Sequence, residues 1–193
     1  MSHNLSELTD IVNEIAVHDS YIAYKKLFGL LFPSVKRFSY SLLKSAELAE
    51  EVASDVMITL WRKRDAITSI NNIKVYAFVI AKNLCLNILK KNSGGRIISL
   101  DDISVNLRID NTTPEWILIN DELRKSLNNA IDELPTKCKI IFRLVKEDGL
   151  SYKEVSEILD ISIKTVDAQL VIATRRLSVS IKKEFNLSPV KKY

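Results

Sequence analysis

The stretch Gly149 to Leu177, GLSYKEVSEILDISIKTVDAQLVIATRRL, narrows the possible folds more than any other part of the chain. Ser151 and Glu154 have the S-x-x-E spacing of a capping box, in which each side chain satisfies a free N–H at a helix start. Val155, Ile158 and Leu159 follow as an apolar face. Asp160 stands where the chain must turn sharply, and Asp accepts the left-handed conformation more readily than most residues. Ser162 can cap a second helix. In that helix Ile163, Val166, Leu170, Ala173 and Leu177 recur at spacings of 3, 4, 3 and 4, a sustained helical stripe. Lys164, Thr165, Asp167, Gln169, Thr174, Arg175 and Arg176 fall between them. A short helix, a three-residue turn and a two-faced second helix predict a helix-turn-helix, whose second helix lies in the DNA major groove. A plain helical hairpin has the same pattern, so the remainder of the chain must discriminate.

The remainder also reads as helical. Only 4 Gly and 4 Pro interrupt 193 residues, and 47% of the residues are hydrophobic, so packed helices are expected rather than sheet or disorder. The 12 Lys/Arg and 9 Asp/Glu of residues 1–95 are followed by 2 and 4 in residues 96–119, then 14 and 11 in residues 120–193. Two basic ends around an acidic middle predict two binding modules and a connector, and basic modules accept polyanions. Cys85 and Cys138 lie on apolar stripes and are expected as buried thiols, neither disulfide framework nor zinc set. The polar, acidic start MSHNLSELTDIVNEI does not read as a signal peptide. No apolar run approaches the ~20 residues that span a bilayer. A cytoplasmic protein without membrane insertion is the expectation.

Leu8, Ile11, Val12 and Ile15 predict a first helix. Asp19 or Ser20 caps a second, through Tyr21, Tyr24, Leu27 and Phe28, which Pro33 either kinks or replaces with a new one. Ser45 caps a long helix, AELAEEVASDVMITLWRKRDAI, with Leu48, Val52, Val56 and Leu60 inward and an acid-first, base-last charge order suited to the helix dipole. Residues 67–72, ITSINN, read as a loop. Asn72 caps the next helix, IKVYAFVIAKNLCLNILKK, with Val75, Phe78 or Val79, Leu86 and Leu89 facing a core. Its other side is polar and basic. Residues 96–113 show no period and read as a linker. Thr113-Pro114 starts a helix with Leu123, Leu127, Ile131 and Leu134 inward. Pro135 opens another, with Cys138, Ile141 and Leu144 or Val145 inward, and Gly149 closes it.

In that order these segments resemble the extracytoplasmic-function group of bacterial sigma factors. AEEVASDVMITLWRKRD is similar to their helix for the clamp of the polymerase beta-prime subunit. INNIKVYAFVIAKNLCLNILKK is similar to their minus-ten loop and helix. LPTKCKIIFRLVKEDGLSYKEVSEILDISIKTVDAQL is similar to their minus-thirty-five module. The resemblance implies an all-α fold of two small helical domains joined by a flexible linker, the second a helix-turn-helix. Residues 1–94 would bind core polymerase and open the minus-ten element, 95–113 would link, and 114–193 would read the minus-thirty-five element. It implies core RNA polymerase, through beta-prime clamp and beta flap, promoter DNA and an anti-sigma factor as partners, with no cofactor.

On that resemblance, Asn71, Asn72, Lys74, Tyr76, Lys82, Asn83, Lys90 and Lys91 are the expected minus-ten contacts. Lysines there neutralise phosphates, the loop amides can read an extruded base, and Tyr76 can stack. Ser162, Lys164, Thr165, Asp167, Ala168, Gln169, Arg175 and Arg176 are the expected minus-thirty-five contacts. Asp167 can accept from cytosine and Gln169 can pair with adenine, while Asp167 also repels phosphate. Glu50, Glu51, Asp55 and Arg62 are the expected polymerase contacts, and Trp61 packs in the core or supports that contact. Relatives often carry Gln and Glu in place of Ser54 and Asp55, and an aromatic in place of Met57.

An enzyme is the weaker reading. The 2 histidines, His3 and His18, stand in the first segment, and no metal-spaced set or phosphate-binding glycine motif occurs. A transcription regulator that binds duplex DNA without polymerase would explain residues 149–177 but not the loop and basic helix at 67–91. A helical adaptor that binds only proteins is a third class. Addition to core polymerase separates them.

Overall fold

The computed structural model describes residues 2–93 and 121–184, with side chains for 7–93 and 127–181. The expected linker, the Thr113-Pro114 helix start and Leu123's side chain lie outside those residues. The first half holds α1 (Ser2–His18), α2 (Tyr21–Leu43), α3 (Ala46–Arg62), a short 3-10 helix (Arg64–Ser69) and α4 (Ile73–Asn92). The second half holds α5 (Asp121–Asp132), α6 (Thr136–Lys146), α7 (Tyr152–Leu159) and α8 (Ile163–Glu184). No strand occurs among the described residues.

The helix starts follow the caps in the sequence. Ser20 accepts from Ala23 N at 3.2 Å, Ser45 from Leu48 N at 3.3 Å, and Asn72 Oδ1 from both Lys74 N and Val75 N at 3.1 Å. Each satisfies a donor that the first turn leaves without an intrahelical partner. Pro33 does not break α2, which runs continuously past it. Both Pro33 and Gly29, one turn earlier, are exposed, so water can serve the carbonyl that lacks its usual donor.

α2 is the central helix of the first half, packing against α1, α3 and α4. Its Leu27, Leu31, Val35, Phe38 and Leu42 are buried with Val52, Val56 and Leu60 of α3. The Phe38 and Phe78 rings meet edge to face, 5.3 Å between centroids. The helix expected from Ser45 ends earlier, at Arg62, and residues 67–69 of the expected loop belong to the 3-10 helix. Buried Ile67 pins that turn to the core. In α4 the core stripe is Ala77, Phe78, Ala81 and Cys85, with Leu84 and Ile88 packed beside it; Leu86 and Leu89 are only half-buried. Val75 and Phe78 are buried as expected, and the small Ala77 and Ala81 beside them let the helix approach closely.

In the second half Ile131, Leu134, Cys138, Ala173 and Leu177 form one cluster. Leu127, midway along α5, and Ile163, the first residue of α8, were expected inward and are exposed. Ile140, Ile141, Leu144, Leu150, Val155 and Ile158 instead join the core of the first half. α7 packs on α4 and α6 on α2.

Candidate nucleic-acid and partner interfaces

The helix-turn-helix forms as its residue types dictate. Ser151 accepts from Glu154 N at 3.3 Å, and Ser151 N donates to Glu154 Oε2 at 2.7 Å, the reciprocal capping box. α6 closes on Gly149 at φ +69°, a left-handed value at which a Cβ would be strained. Asp160 turns α7 at φ 56°. Ser162 then accepts from Thr165 N at 3.0 Å and starts α8.

Val166, Leu170, Ala173 and Leu177 anchor α8 to the domain. That leaves Ser162, Lys164, Asp167, Ala168, Arg175 and Arg176 exposed, and Thr165 half-buried. Gln169 is placed differently. It is half-buried, and its Oε1 accepts from the Cys138 thiol of α6 at 2.7 Å. Burial raises the Cys138 thiol's pKa, with Arg176 acting the other way, so the thiol stays a donor near neutral pH. The Gln169 side chain therefore links α8 to α6.

The expected minus-ten face begins at the α4 cap. Asn71, Asn83, Lys90 and Lys91 are exposed, whereas Asn72, Lys74, Tyr76 and Lys82 are half-buried. Asn72 has both ends of its amide engaged: Oδ1 caps α4, and Nδ2 donates to Glu154 Oε1 at 2.6 Å. Lys74 Nζ donates to the Asp148 carbonyl. Burial lowers the Lys74 pKa, against the pull of Asp148 and Glu154. Tyr76 packs partly on the core, and its hydroxyl accepts from Lys63 Nζ at 2.7 Å.

The acidic face of α3 is open. Glu51, Asp55 and Arg62 recur at i, i+4 and i+11 and share a side of the helix. They are exposed, as is Glu50, which pairs with Lys36 at 2.5 Å. Ile58, 46% exposed, stands among them and was not anticipated. Its signal was available: an apolar residue off the Val52–Val56–Leu60 stripe and on the Asp55–Arg62 side. Trp61 lies behind, half-buried, 4.7 Å from the Tyr24 ring, with the Arg64 guanidinium 5.1 Å from its own.

Residues that join the halves were also missed. Arg37 Nε pairs with Glu147 at 3.1 Å, and Arg37 Nη2 with Asp148 at 3.0 Å. Asp148's side chain is only 4% exposed. Arg37 and Asp148 stand 111 residues apart, and no local period encodes such a pairing. Among the described residues, no cluster of His, Cys, Asp or Glu fits a metal ion, and no helix is long and apolar enough to cross a membrane.

Residues 27–94 match the family Sigma-70 region 2, and residues 124–177 match Sigma-70, region 4. Together they span well over half of the chain. The ECF RNA polymerase sigma factor SigW of Bacillus subtilis is 22% identical over 155 residues, covering 77% of this chain and 83% of SigW. The ECF RNA polymerase sigma-E factor of Haemophilus influenzae is 26% identical over 168 residues, covering 81% and 88%. The fold is similar to that of the sigma factor RpoE in its complex with the anti-sigma factor NepR from Bartonella quintana. That match has a TM-score of 0.61 at 22% identity and covers 82% of this chain and 96% of the other. CnrH, in complex with the cytosolic domain of CnrY, matches with a TM-score of 0.56 at 14% identity, covering 92% and 98%. Two sigma-70 regions in sequence order, on a fold shared with known sigma factors, place the chain in the sigma-70 family of RNA polymerase sigma factors, within its extracytoplasmic-function group.

Proposed function

We propose that this protein binds core RNA polymerase and directs it to specific promoters, acting by binding energy alone and without catalysis or cofactor. The carrying observation is that regions 2 and 4 occur in one chain. A duplex-binding regulator would account for α7 and α8 and leave α3 and α4 without a task. The residues divide into a first module ending near 94, a linker at 95–113 and a second module from 114.

In this reading Glu50, Glu51, Asp55 and Arg62 meet the polymerase clamp, with Ile58 as their apolar centre. Asn71 and Asn72 hold an extruded base, and Lys74, Lys82, Lys90 and Lys91 neutralise phosphates on the separated strand. Tyr76 and Asn83 border the same surface. The exposed first turns of α8, Ser162 to Ala168, enter the major groove, with Arg175 and Arg176 toward the backbone. Gln169 acts through its link to Cys138, or reads adenine after releasing it. The beta flap would receive the second module, and an anti-sigma factor would hold the free protein, as NepR binds RpoE. All of these contacts belong in the cytoplasm.

Addition of the purified chain to core polymerase tests the reading. Co-elution with core and promoter-specific initiation are expected. Duplex binding without co-elution would favour the regulator.

A further inference from the structure

The outward side of α8 is apolar where a helix surface in water is ordinarily polar. Val166, Leu170, Ala173 and Leu177 hold the helix to its domain. At about 3.6 residues per turn, Lys164, Ala168, Val171, Ile172 and Arg175 come round to the opposite side. All are exposed, Val171 by 61% and Ile172 by 41%. Val171 and Ile172 stand at i+3 and i+4 from Ala168, so the three make one continuous patch. Single exposed apolar residues are ordinary, whereas a contiguous patch rimmed by polar groups marks a contact surface.

The neighbours of the patch decide what it fits. Lys164 precedes it and Arg175 follows it, about 16 Å apart along the helix axis. Cations at that spacing can reach the phosphates on both sides of a major groove about 12 Å wide, with Ala168, Val171 and Ile172 over its floor. Val179, one turn past Arg175, falls outside that span. An apolar protein partner would cover the patch as well, but cations at both of its ends match a polyanion. Several polar side chains on this stretch are engaged within the protein. The Ser162 and Thr165 hydroxyls bond each other at 2.9 Å at the helix start, and Gln169 is held by the Cys138 thiol. Among base edges in the major groove, the apolar group is the C5-methyl of thymine.

We propose that Val171 and Ile172, together with Ala168, read thymine methyl groups in the upstream promoter element, while Lys164 and Arg175 fix the helix on the flanking phosphates. The inference rests on the proposed reading of α8 as the helix that enters the major groove, and it gives that helix a specificity carried by apolar contact. Val171 and Ile172 are specificity residues that the polar pattern of the helix did not mark.

Selection from a randomised duplex library by the holoenzyme supplies the probe. The selected upstream element is then made in two forms, one with thymine and one with deoxyuridine, which lacks only the C5-methyl; the downstream DNA stays the same. The selected element should carry thymines, and each contacted methyl removed should weaken holoenzyme binding about fourfold, as expected for burial of one such group. Val171→Ala/Ile172→Ala should bind the thymine form more weakly than the wild type does and should lose most of the uracil penalty, as in a double-mutant cycle of contacting groups. Both positions are exposed and Ala favours a helix, so the variant should fold, which circular dichroism checks. Equal binding of the two forms by the wild type would overturn the proposal. A uracil penalty undiminished in the variant would also overturn it, because the penalty would then lie in the DNA. A folded variant that no longer co-elutes with core polymerase would overturn it too, by giving this face to the beta flap. The proposed function fails separately, if the wild-type chain does not co-elute with core.

Discussion

Asn72 Nδ2 donates to Glu154 Oε1 at 2.6 Å, joining the cap of one helix to the capping box of another, 82 residues on. Glu154 thus has a local task and a distant one, and two substitutions separate them. Glu154→Gln keeps an oxygen for Ser151 N, as Gln does in capping boxes, and should cost little stability. Glu154→Ala removes both bonds and should cost about 1–2 kcal/mol. Denaturant titration of the two variants checks the order, and equal costs would contradict it.

Asp160 holds φ 56° between α7 and α8. Asp160→Gly removes the Cβ conflict and should leave the domain folded. Asp160→Val places a β-branched residue in the left-handed region and should destabilise by about 1–2 kcal/mol. Thermal melts of the two variants report the difference.

Burial pushes the Cys85 thiol from an ordinary 9.0 up to about 11, a rise that Ser39 beside it moderates. The folded chain therefore keeps the proton longer than the unfolded chain. This contribution to stability is fully present below pH 9 and is lost as pH rises through the folded value near 11. Stability should fall between those values with a component of about 1.4 kcal/mol per pH unit. Cys85→Ala should remove that component, and native Cys85 should resist thiol reagents at neutral pH.

Lys82, half-buried, and Lys90, exposed, both lie on α4, whereas the acidic residues lie on α3. A Lys82→Ala/Lys90→Ala chain should keep its affinity for core polymerase and lose promoter opening, read by permanganate reactivity of thymines. The salt slope of promoter binding should also become shallower, by about one unit for each phosphate left without its lysine. Unchanged opening would remove that face from the strand-separating surface.

Local chemistry was legible in the residues. Ser20, Ser45, Asn72, Ser151 and Ser162 cap helices because their side chains satisfy donors within three residues. Asp160 and Gly149 turn the chain for reasons internal to each residue. The core side of α4 was legible at Val75, Phe78 and Cys85, which are buried as expected, and not at Ala77 and Ala81, which gain their burial from helices packed against them. The same limit hid the partners of Arg37 and Gln169. A period identifies the face of a helix, not what comes to lie on it, so a residue expected to read bases is found facing Cys138.

Size-exclusion chromatography of the full chain with core RNA polymerase, followed by transcription from the bound fractions, tests the central claim most directly. The chain should move with core and yield transcripts from discrete start sites, and core alone should not. A chain that elutes by itself, or moves with core without producing any discrete start, would contradict it even if α8 bound duplex DNA well.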